Sequence, residues 1–200
     1  MQIKNWSDVP GFINDTHANH IRQVSSQLPN NAKVIEVGCM WGRSTWCWLD
    51  NLSSDAELTT IDMFFFDDCN NLPVPMQQTW QGSLEIFEIS KKIGCKNTWH
   101  NVVSQHANKD ISRFFWCDSL DFDPMHQNYD CVYLDGDHRY DHLQNELSKF
   151  EPICDVICGD DYRHEHPDVI KAVDEMVKKT GRILSANIKD KSGFWLAKKT

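Results

Sequence analysis

The stretch Val34-Ile-Glu-Val-Gly-Cys-Met-Trp-Gly-Arg-Ser44 decides the fold. Val34, Ile35 and Val37 form a short apolar, β-branched run, the pattern of a strand covered on both faces. Gly38 and Gly42 bracket a tight turn where a side chain would block the approach of a ligand to the backbone. From Arg43 to Leu52 the chain reads as a helix whose unpaired N–H groups face that turn. The spacing is Gly-x-x-x-Gly, so the Gly-x-Gly-x-x-Gly dinucleotide fingerprint is not met, and no Gly-Lys-Ser/Thr follows to make a phosphate loop. Glu36 is the unusual residue. A carboxylate within a buried strand needs a partner, either a ligand cation or backbone donors.

On both sides of this stretch, apolar strands alternate with amphipathic helices. Asn14 to Leu28 reads as a helix with Ile21, Val24 and Leu28 on one face, ended by Pro29-Asn-Asn. Strands are expected at 33–37, 58–61, 113–117, 130–134 and 156–158, and a final pair at 182–188 and 193–197 forms an antiparallel edge. Further helices are expected at 80–93, 98–107, 138–150 (Leu143, Leu147 and Phe150 aligned) and 167–179. Pro167 suits a first helical position, and Ile170, Val173 and Val177 point inward. Met63 to Pro75 is irregular, rich in phenylalanine and proline. The alternation predicts an α/β chain with a Rossmann-like, doubly wound, seven-stranded sheet, mostly parallel with an antiparallel C-terminal strand. The 200 residues suffice for one domain. Residues 1–30 are its helical lead-in, and 63–98 a variable insertion or lid.

In such sheets ligands bind outside the carboxyl ends of the strands. Asp62, Asp118, Asp135, Asp160 and Asp161 each follow an apolar strand. Asp62, beside the glycine turn, suits two ribose hydroxyls; its plainer use is as a turn or cap residue. Asp135, Asp160 and Asp161 end neighbouring strands, and three converging carboxylates repel unless a hard cation lies among them. Oxygen-only ligands suit Mg²⁺, Mn²⁺ or Ca²⁺; the plainer use is a helix cap with its neighbours in solvent. Asp137 and His138 lie just beyond Asp135, and either can take a proton from a substrate hydroxyl whose acidity a metal raises. His164, His166, Arg139 and Arg163 are weaker candidates.

The net charge of −9 disfavours a grip on a nucleic-acid backbone. No apolar run is long enough to span a membrane, and the first residues are too polar for a signal peptide, so a soluble cytoplasmic protein is expected. The eight cysteines form no Cys-x-x-Cys and are expected to be reduced and mostly buried, a zinc site being their alternative use.

Taken together, Glu36–Ser44, Ile61-Asp62-Met63, Tyr129-Asp-Cys-Val-Tyr-Leu-Asp-Gly-Asp-His138 and Cys158-Gly-Asp-Asp-Tyr162 resemble the motifs of class I S-adenosylmethionine-dependent methyltransferases. The chain is most similar to the small metal-dependent O-methyltransferases, both the catechol type and the bacterial enzymes that methylate sugar hydroxyls of antibiotics. The resemblance runs from about Lys33 to Ala197. It implies that the turn of Gly38, Cys39, Met40 and Gly42 cradles the methionine part of S-adenosylmethionine. Glu36 then supports the turn or meets the ammonium group, and Ser44 reaches the carboxylate. Asp62 holds the ribose, Met63 lies against the adenine, Asp118 and Ser119 sit near it, and Asp135 borders the cofactor. Asp135, Asp160 and Asp161 match the metal triad, with Mg²⁺ the expected ion. The catechol enzymes carry a lysine base where this chain has His138; the sugar-modifying relatives use an aspartate where it has Asp137. The implied partner is a small-molecule hydroxyl acceptor, with neither nucleic acid nor membrane, and the aromatic segment after Asp62 would suit a homodimer interface. The alternatives are a metal-independent class I methyltransferase acting on oxygen or nitrogen, and a nucleoside-binding module without catalysis. A nicotinamide-dependent dehydrogenase lacks its glycine fingerprint.

Overall fold

The computed structural model of the protein describes residues 2–63, 80–125 and 127–200. Seven strands form one sheet: β1 (Lys33–Val37), β2 (Glu57–Ile61), β3 (Ser112–Phe115), β4 (Tyr129–Leu134), β5 (Cys154–Gly159), β6 (Ile183–Ala186) and β7 (Trp195–Lys198). Their order is β3-β2-β1-β4-β5-β7-β6. β1, β2, β3, β4 and β5 pair in parallel, and β7 pairs antiparallel with both β5 and β6. β7 is thus the strand that runs against the others, as the sequence predicts for the C-terminal strand.

Six α-helices lie among the described residues: α1 (Asp15–Gln27), α2 (Arg43–Leu49), α3 (Leu84–Ile93), α4 (Cys95–Val103), α5 (Tyr140–Phe150) and α6 (Pro167–Thr180). Alternation along the strands divides the core in two. Val34, Leu58, Cys131, Tyr133 and Cys158 pack with Ile21, Val24, Trp48, Trp99 and Val102 of α1, α2 and α4. Ile35, Val37, Val132, Leu134 and Ile157 face the other way, against Leu143, Leu147 and Phe150 of α5 and Val169 and Val173 of α6. The seven described cysteines are free and mostly buried. No helix of the described residues is long and apolar enough to cross a membrane.

Several boundaries differ from the sequence reading, each for a local reason. α3 starts at Leu84 because the Ser83 side chain accepts from Ile86 N–H. Trp80 lies before the helix and stacks on Phe87, with ring centroids 4.1 Å apart. α4 starts directly after Gly94, whose φ of +83° ends one helix and admits the next. α5 starts at Tyr140 rather than His138, because the Asp137 carboxylate accepts from Arg139 N–H at 2.9 Å and holds those residues in a turn. On α6 the buried stripe is Val169, Ala172, Val173 and Met176, so Ile170 and Val177 flank it. Most of the irregular stretch after Asp62, including Phe64–Phe66 and their expected dimer interface, lies outside the described residues.

Buried Arg43 fastens the N-terminal residues to the start of α2. Its guanidinium donates to Val9 O at 2.6 Å and Ile13 O at 3.1 Å. At the other edge, a Cβ on Gly159 would press into the Leu134 carbonyl and lie 2.8 Å from the Trp195 indole. Gly159→Ala is therefore expected to cost about 1–3 kcal/mol through overpacking at the β5–β7 seam. Thermal denaturation followed by circular dichroism should show a fall in Tm of about 2–4 °C per kcal/mol; an unchanged Tm would mean the seam yields freely.

Candidate active site

The backbone ladder continues one residue past the parallel strands. Asp62 N–H donates to Phe115 O (3.2 Å), Gly38 N–H to Ile61 O (2.9 Å), Asp135 N–H to Val37 O (2.8 Å) and Asp160 N–H to Leu134 O (3.2 Å). These bonds set Asp62, Gly38, Asp135 and Asp160 side by side along one edge of the sheet.

The glycine turn is held from the side. Asp62 Oδ2 accepts from Cys39 N–H at 2.8 Å and Met40 N–H at 2.9 Å. Gly38 has φ +81°, and a Cβ there would run into the Asp135 carbonyl, so the turn and the end of β4 are in direct contact. Gly42 caps α2, and buried Ser44 follows in its first turn. Behind the turn, fully buried Glu36 accepts at Oε2 from Thr45 Oγ1 (2.6 Å) and Thr60 Oγ1 (3.2 Å). Trp99 Nε1 in turn donates to Thr45 Oγ1 at 3.0 Å. The other carboxylate oxygen, Oε1, is buried without a hydrogen-bond partner. Burial pushes the Glu36 carboxyl up to about 7, against the pull of the surrounding hydroxyls.

The acids of β4 and β5 each meet a different protein partner. Tyr133 OH donates to Asp135 Oδ2 at 2.9 Å. Burial, and then the charge of Asp160, push Asp135 up to about 6. Asp160 Oδ1 accepts from Asp161 N–H at 2.5 Å and faces His17 Nδ1 at 3.3 Å. Burial pushes Asp160 up, but His17 outweighs it and holds the carboxyl below its usual range. Asp161, buried and with φ +62°, pairs with Arg163 through Oδ1. Its Oδ2 faces His138 Nδ1 at 3.1 Å and His166 Nε2 at 3.5 Å. Among the described residues, His138, Asp161 and His166 are the group of metal-ligating side chains whose ligand atoms lie within 4.8 Å of one another.

The two expected proton acceptors are also engaged. Arg139 Nε donates to both oxygens of Asp137, at 3.0 and 2.8 Å, and the guanidinium lowers the acid's pKa. His138 stands between Asp161 and Asp135, whose Oδ1 is 3.7 Å from Nε2. Burial lowers its pKa, yet the two carboxylates outweigh this and raise it to about 9.

Sequence reasoning missed three residues here. His17 is fully buried, with Nδ1 2.8 Å from Ser192 O and Nε2 2.9 Å from Tyr133 OH. It lies one turn before Ile21 on the inward stripe of α1, which was the available signal. Glu146 is buried on the inward stripe of α5, between Leu143 and Phe150. Ser119 Oγ donates to its Oε1 at 2.5 Å, and His142 Nε2 lies 3.3 Å from the same oxygen. Asp118, 4.0 Å from His142, completes this group and caps Leu120 N–H.

Most of these groups border one cavity of about 1010 Å³. Gly38, Cys39, Met40, Ser44, Asp62, half-exposed Met63, Asp118 and Ser119 line one part of it. Asp135, Asp137, His138, Asp160, Asp161 and His166 line another. Glu36 and Gly42 stand behind the wall, among the elements that shape it.

This architecture is an α/β Rossmann-like methyltransferase fold, and solved structures superpose on it. A Clostridium thermocellum protein described as an rRNA methylase is 11% identical, with a TM-score of 0.61 over 98% of this chain and 96% of its own. The O-methyltransferase TomG from Streptomyces achromogenes, solved with S-adenosylmethionine, is 14% identical, with a TM-score of 0.58 over 94% of this chain and 81% of its own. An O-methyltransferase from Bacillus cereus, solved with S-adenosylhomocysteine, is 12% identical, with a TM-score of 0.56 over 94% of this chain and 82% of its own. By sequence, the chain matches no protein-family profile and no curated protein.

Glu36 makes the site pH-sensitive. Between its ordinary value of 4.5 and about 7, the folded state holds a proton that the unfolded state has lost. Folding stability therefore falls as pH rises through that window. Glu36→Gln removes this titration, so chemical denaturation should show wild type losing stability relative to the variant from pH 4.5 to 7.5. A constant difference across that range would contradict the burial effect.

Proposed function

We propose that the protein is an S-adenosylmethionine-dependent methyltransferase acting on a hydroxyl of a small molecule. The observation that carries this reading is the pairing of Asp62 with the Cys39 and Met40 amides at the rim of a cavity that continues to Asp135, Asp160 and Asp161. A rigid turn bounded by an acid suits a nucleoside with a polar tail, and a second cluster of polar side chains in the same cavity suits an acceptor. In this reading Gly38, Cys39, Met40 and Gly42 shape the bed for the methionine portion. Glu36 supports that bed from behind through Thr45 and Thr60, and Ser44 borders it. Asp62 takes the ribose hydroxyls, with Met63, Asp118 and Ser119 around the adenine.

The reaction is an in-line displacement. The acceptor oxygen forms a bond to the methyl carbon as the carbon–sulfur bond breaks, and the sulfonium becomes a neutral thioether. The hydroxyl proton passes to a base on the protein. His138 faces Asp161 Oδ2 through Nδ1 at 3.1 Å, and the carboxylates around it outweigh burial and raise its pKa to about 9, so without a bound ion the ring already carries its proton at neutral pH. Asp137, ionised throughout the neutral range, is the remaining acceptor. The family resemblance would place a divalent cation at Asp135, Asp160 and Asp161, where it would supply Lewis acidity to the acceptor oxygen. The protein's own part is to hold the two reactants in line and out of water.

Isothermal titration with S-adenosylhomocysteine tests the reading. One equivalent should bind, and a concentration of 100 times Kd should stabilise the fold by about 2.7 kcal/mol in thermal shift. Asp62→Ala, which loses both the turn contacts and the ribose acceptor, should weaken binding by at least about tenfold, the loss of one charge-assisted hydrogen bond. Adenosine binding as tightly as S-adenosylhomocysteine would instead favour a nucleoside-binding module. No binding of either would sink the cofactor assignment.

A further inference from the structure

We propose that His138, Asp161 and His166 form a seat for a divalent transition-metal ion, of which Zn²⁺ is the best fit. As the ion of a methyltransferase it rests on the reading above; as a metal site it stands on ligand geometry alone.

Three carboxylates could hold a hard ion only if their oxygens turned toward one point. Here Asp135 Oδ2 is taken by Tyr133 OH, and Asp160 Oδ1 by the Asp161 amide and His17. Asp161 instead aims Oδ2 at two imidazoles, while Arg163 holds its Oδ1. Metal–ligand bonds of about 2.0–2.2 Å in tetrahedral to octahedral arrangement separate neighbouring ligand atoms by about 3.0–3.5 Å. Asp161 Oδ2 lies 3.1 Å from His138 Nδ1 and 3.5 Å from His166 Nε2, which is that spacing. Arg163 leaves Asp161 a single oxygen for the ion, fixing a monodentate carboxylate.

Behind His138 the outer shell offers one carboxylate, beyond hydrogen-bond distance in this state. His138 faces Asp161 through Nδ1, and its far nitrogen looks toward Asp135 Oδ1 at 3.7 Å. A carboxylate behind a ligating histidine fixes its tautomer and raises its basicity. Two imidazoles and one carboxylate suit Zn²⁺, Co²⁺, Mn²⁺ or Fe²⁺ and disfavour Mg²⁺ and Ca²⁺. All three residues line the open cavity, so a coordination position remains for an exogenous oxygen. In this arrangement His138 is a ligand rather than a base, consistent with its two carboxylate neighbours.

The test is metal titration of the whole protein after chelation. Calorimetry should find one equivalent of Zn²⁺, and Co²⁺ should give the visible absorption of a low-coordinate site. His166→Ala, in a surface loop, should weaken Zn²⁺ binding by at least about tenfold, the scale seen even for outer-shell losses. His138→Ala should do the same, Asp160→Asn should leave the affinity unchanged, and millimolar Mg²⁺ should not compete. Circular dichroism of each variant checks that it folds. Absence of Zn²⁺ binding, or an affinity unaltered by His166→Ala, overturns the seat. Loss of the ion in Asp160→Asn with retention in His166→Ala returns it to the three aspartates and also overturns the seat. S-adenosylhomocysteine affinity measured on the same samples separates failure of the seat from failure of the cofactor reading.

Discussion

The constraint on which the rest depends is the row of backbone hydrogen bonds that runs one residue beyond β1, β2, β4 and β5. Parallel strands place their amides and carbonyls in evenly spaced, slanted bonds. Each strand's next amide can therefore reach the last carbonyl of its neighbour, and Gly38, Asp62, Asp135 and Asp160 all do so. The carboxylates are consequently spaced by strand separation, roughly 4.8 Å from one strand to the next. A loop could not fix three acids with that regularity. The sheet does it through backbone groups alone, which leaves each side chain available for chemistry.

Carboxylates held in line create a charge problem, and the protein resolves it residue by residue. Asp62 meets two turn amides, Asp160 meets His17 and Asp161 meets Arg163 and His138. Glu36 has only hydroxyl partners, so burial keeps its proton up to about pH 7. The geometry around His17 is especially constrained. Its Nδ1 faces Ser192 O and Asp160, both acceptors, while its Nε2 faces a Tyr133 hydroxyl whose own proton goes to Asp135. Both nitrogens therefore donate, and the ring is an imidazolium that links Asp160 to Asp135 through Tyr133. Burial alone would lower its pKa, but Asp160 outweighs burial and raises it to about 9.

Much of this was legible in the sequence, for identifiable reasons. Short β-branched runs followed by Asp or Gly fixed the strands and the edge that carries the acids, because burial on both faces leaves few other residue choices. The start of α1 was visible in Asn14, and that of α6 in Pro167. Less visible were the partners. Nothing in the order of residues says that Asp160 faces a histidine 143 positions earlier, since that contact depends on where α1 crosses the sheet. His17 and Glu146 did leave a trace, as single ionisable residues on otherwise apolar helical stripes. The convergence of His138 with His166 depends on how the chain bends after Asp161, where an aspartate with positive φ sets the direction. Spacing alone does not encode that bend.

Asp135 joins the two halves of the cavity, and it does so with different atoms. Its amide continues the ladder from Val37, and its carbonyl presses against Gly38, so its backbone belongs to the turn. Its carboxylate accepts a hydrogen bond from Tyr133 OH and looks toward His138, so its side chain belongs to the opposite end. The separation between the turn and the His138 end is therefore set within one residue rather than across a hinge. A shift of β4 along β1 would move both together and keep their spacing. A change of the carboxylate alone would disturb the His138 side while leaving the ladder and the turn in place. The two ends of the cavity are thus coupled through backbone and separable through side chain.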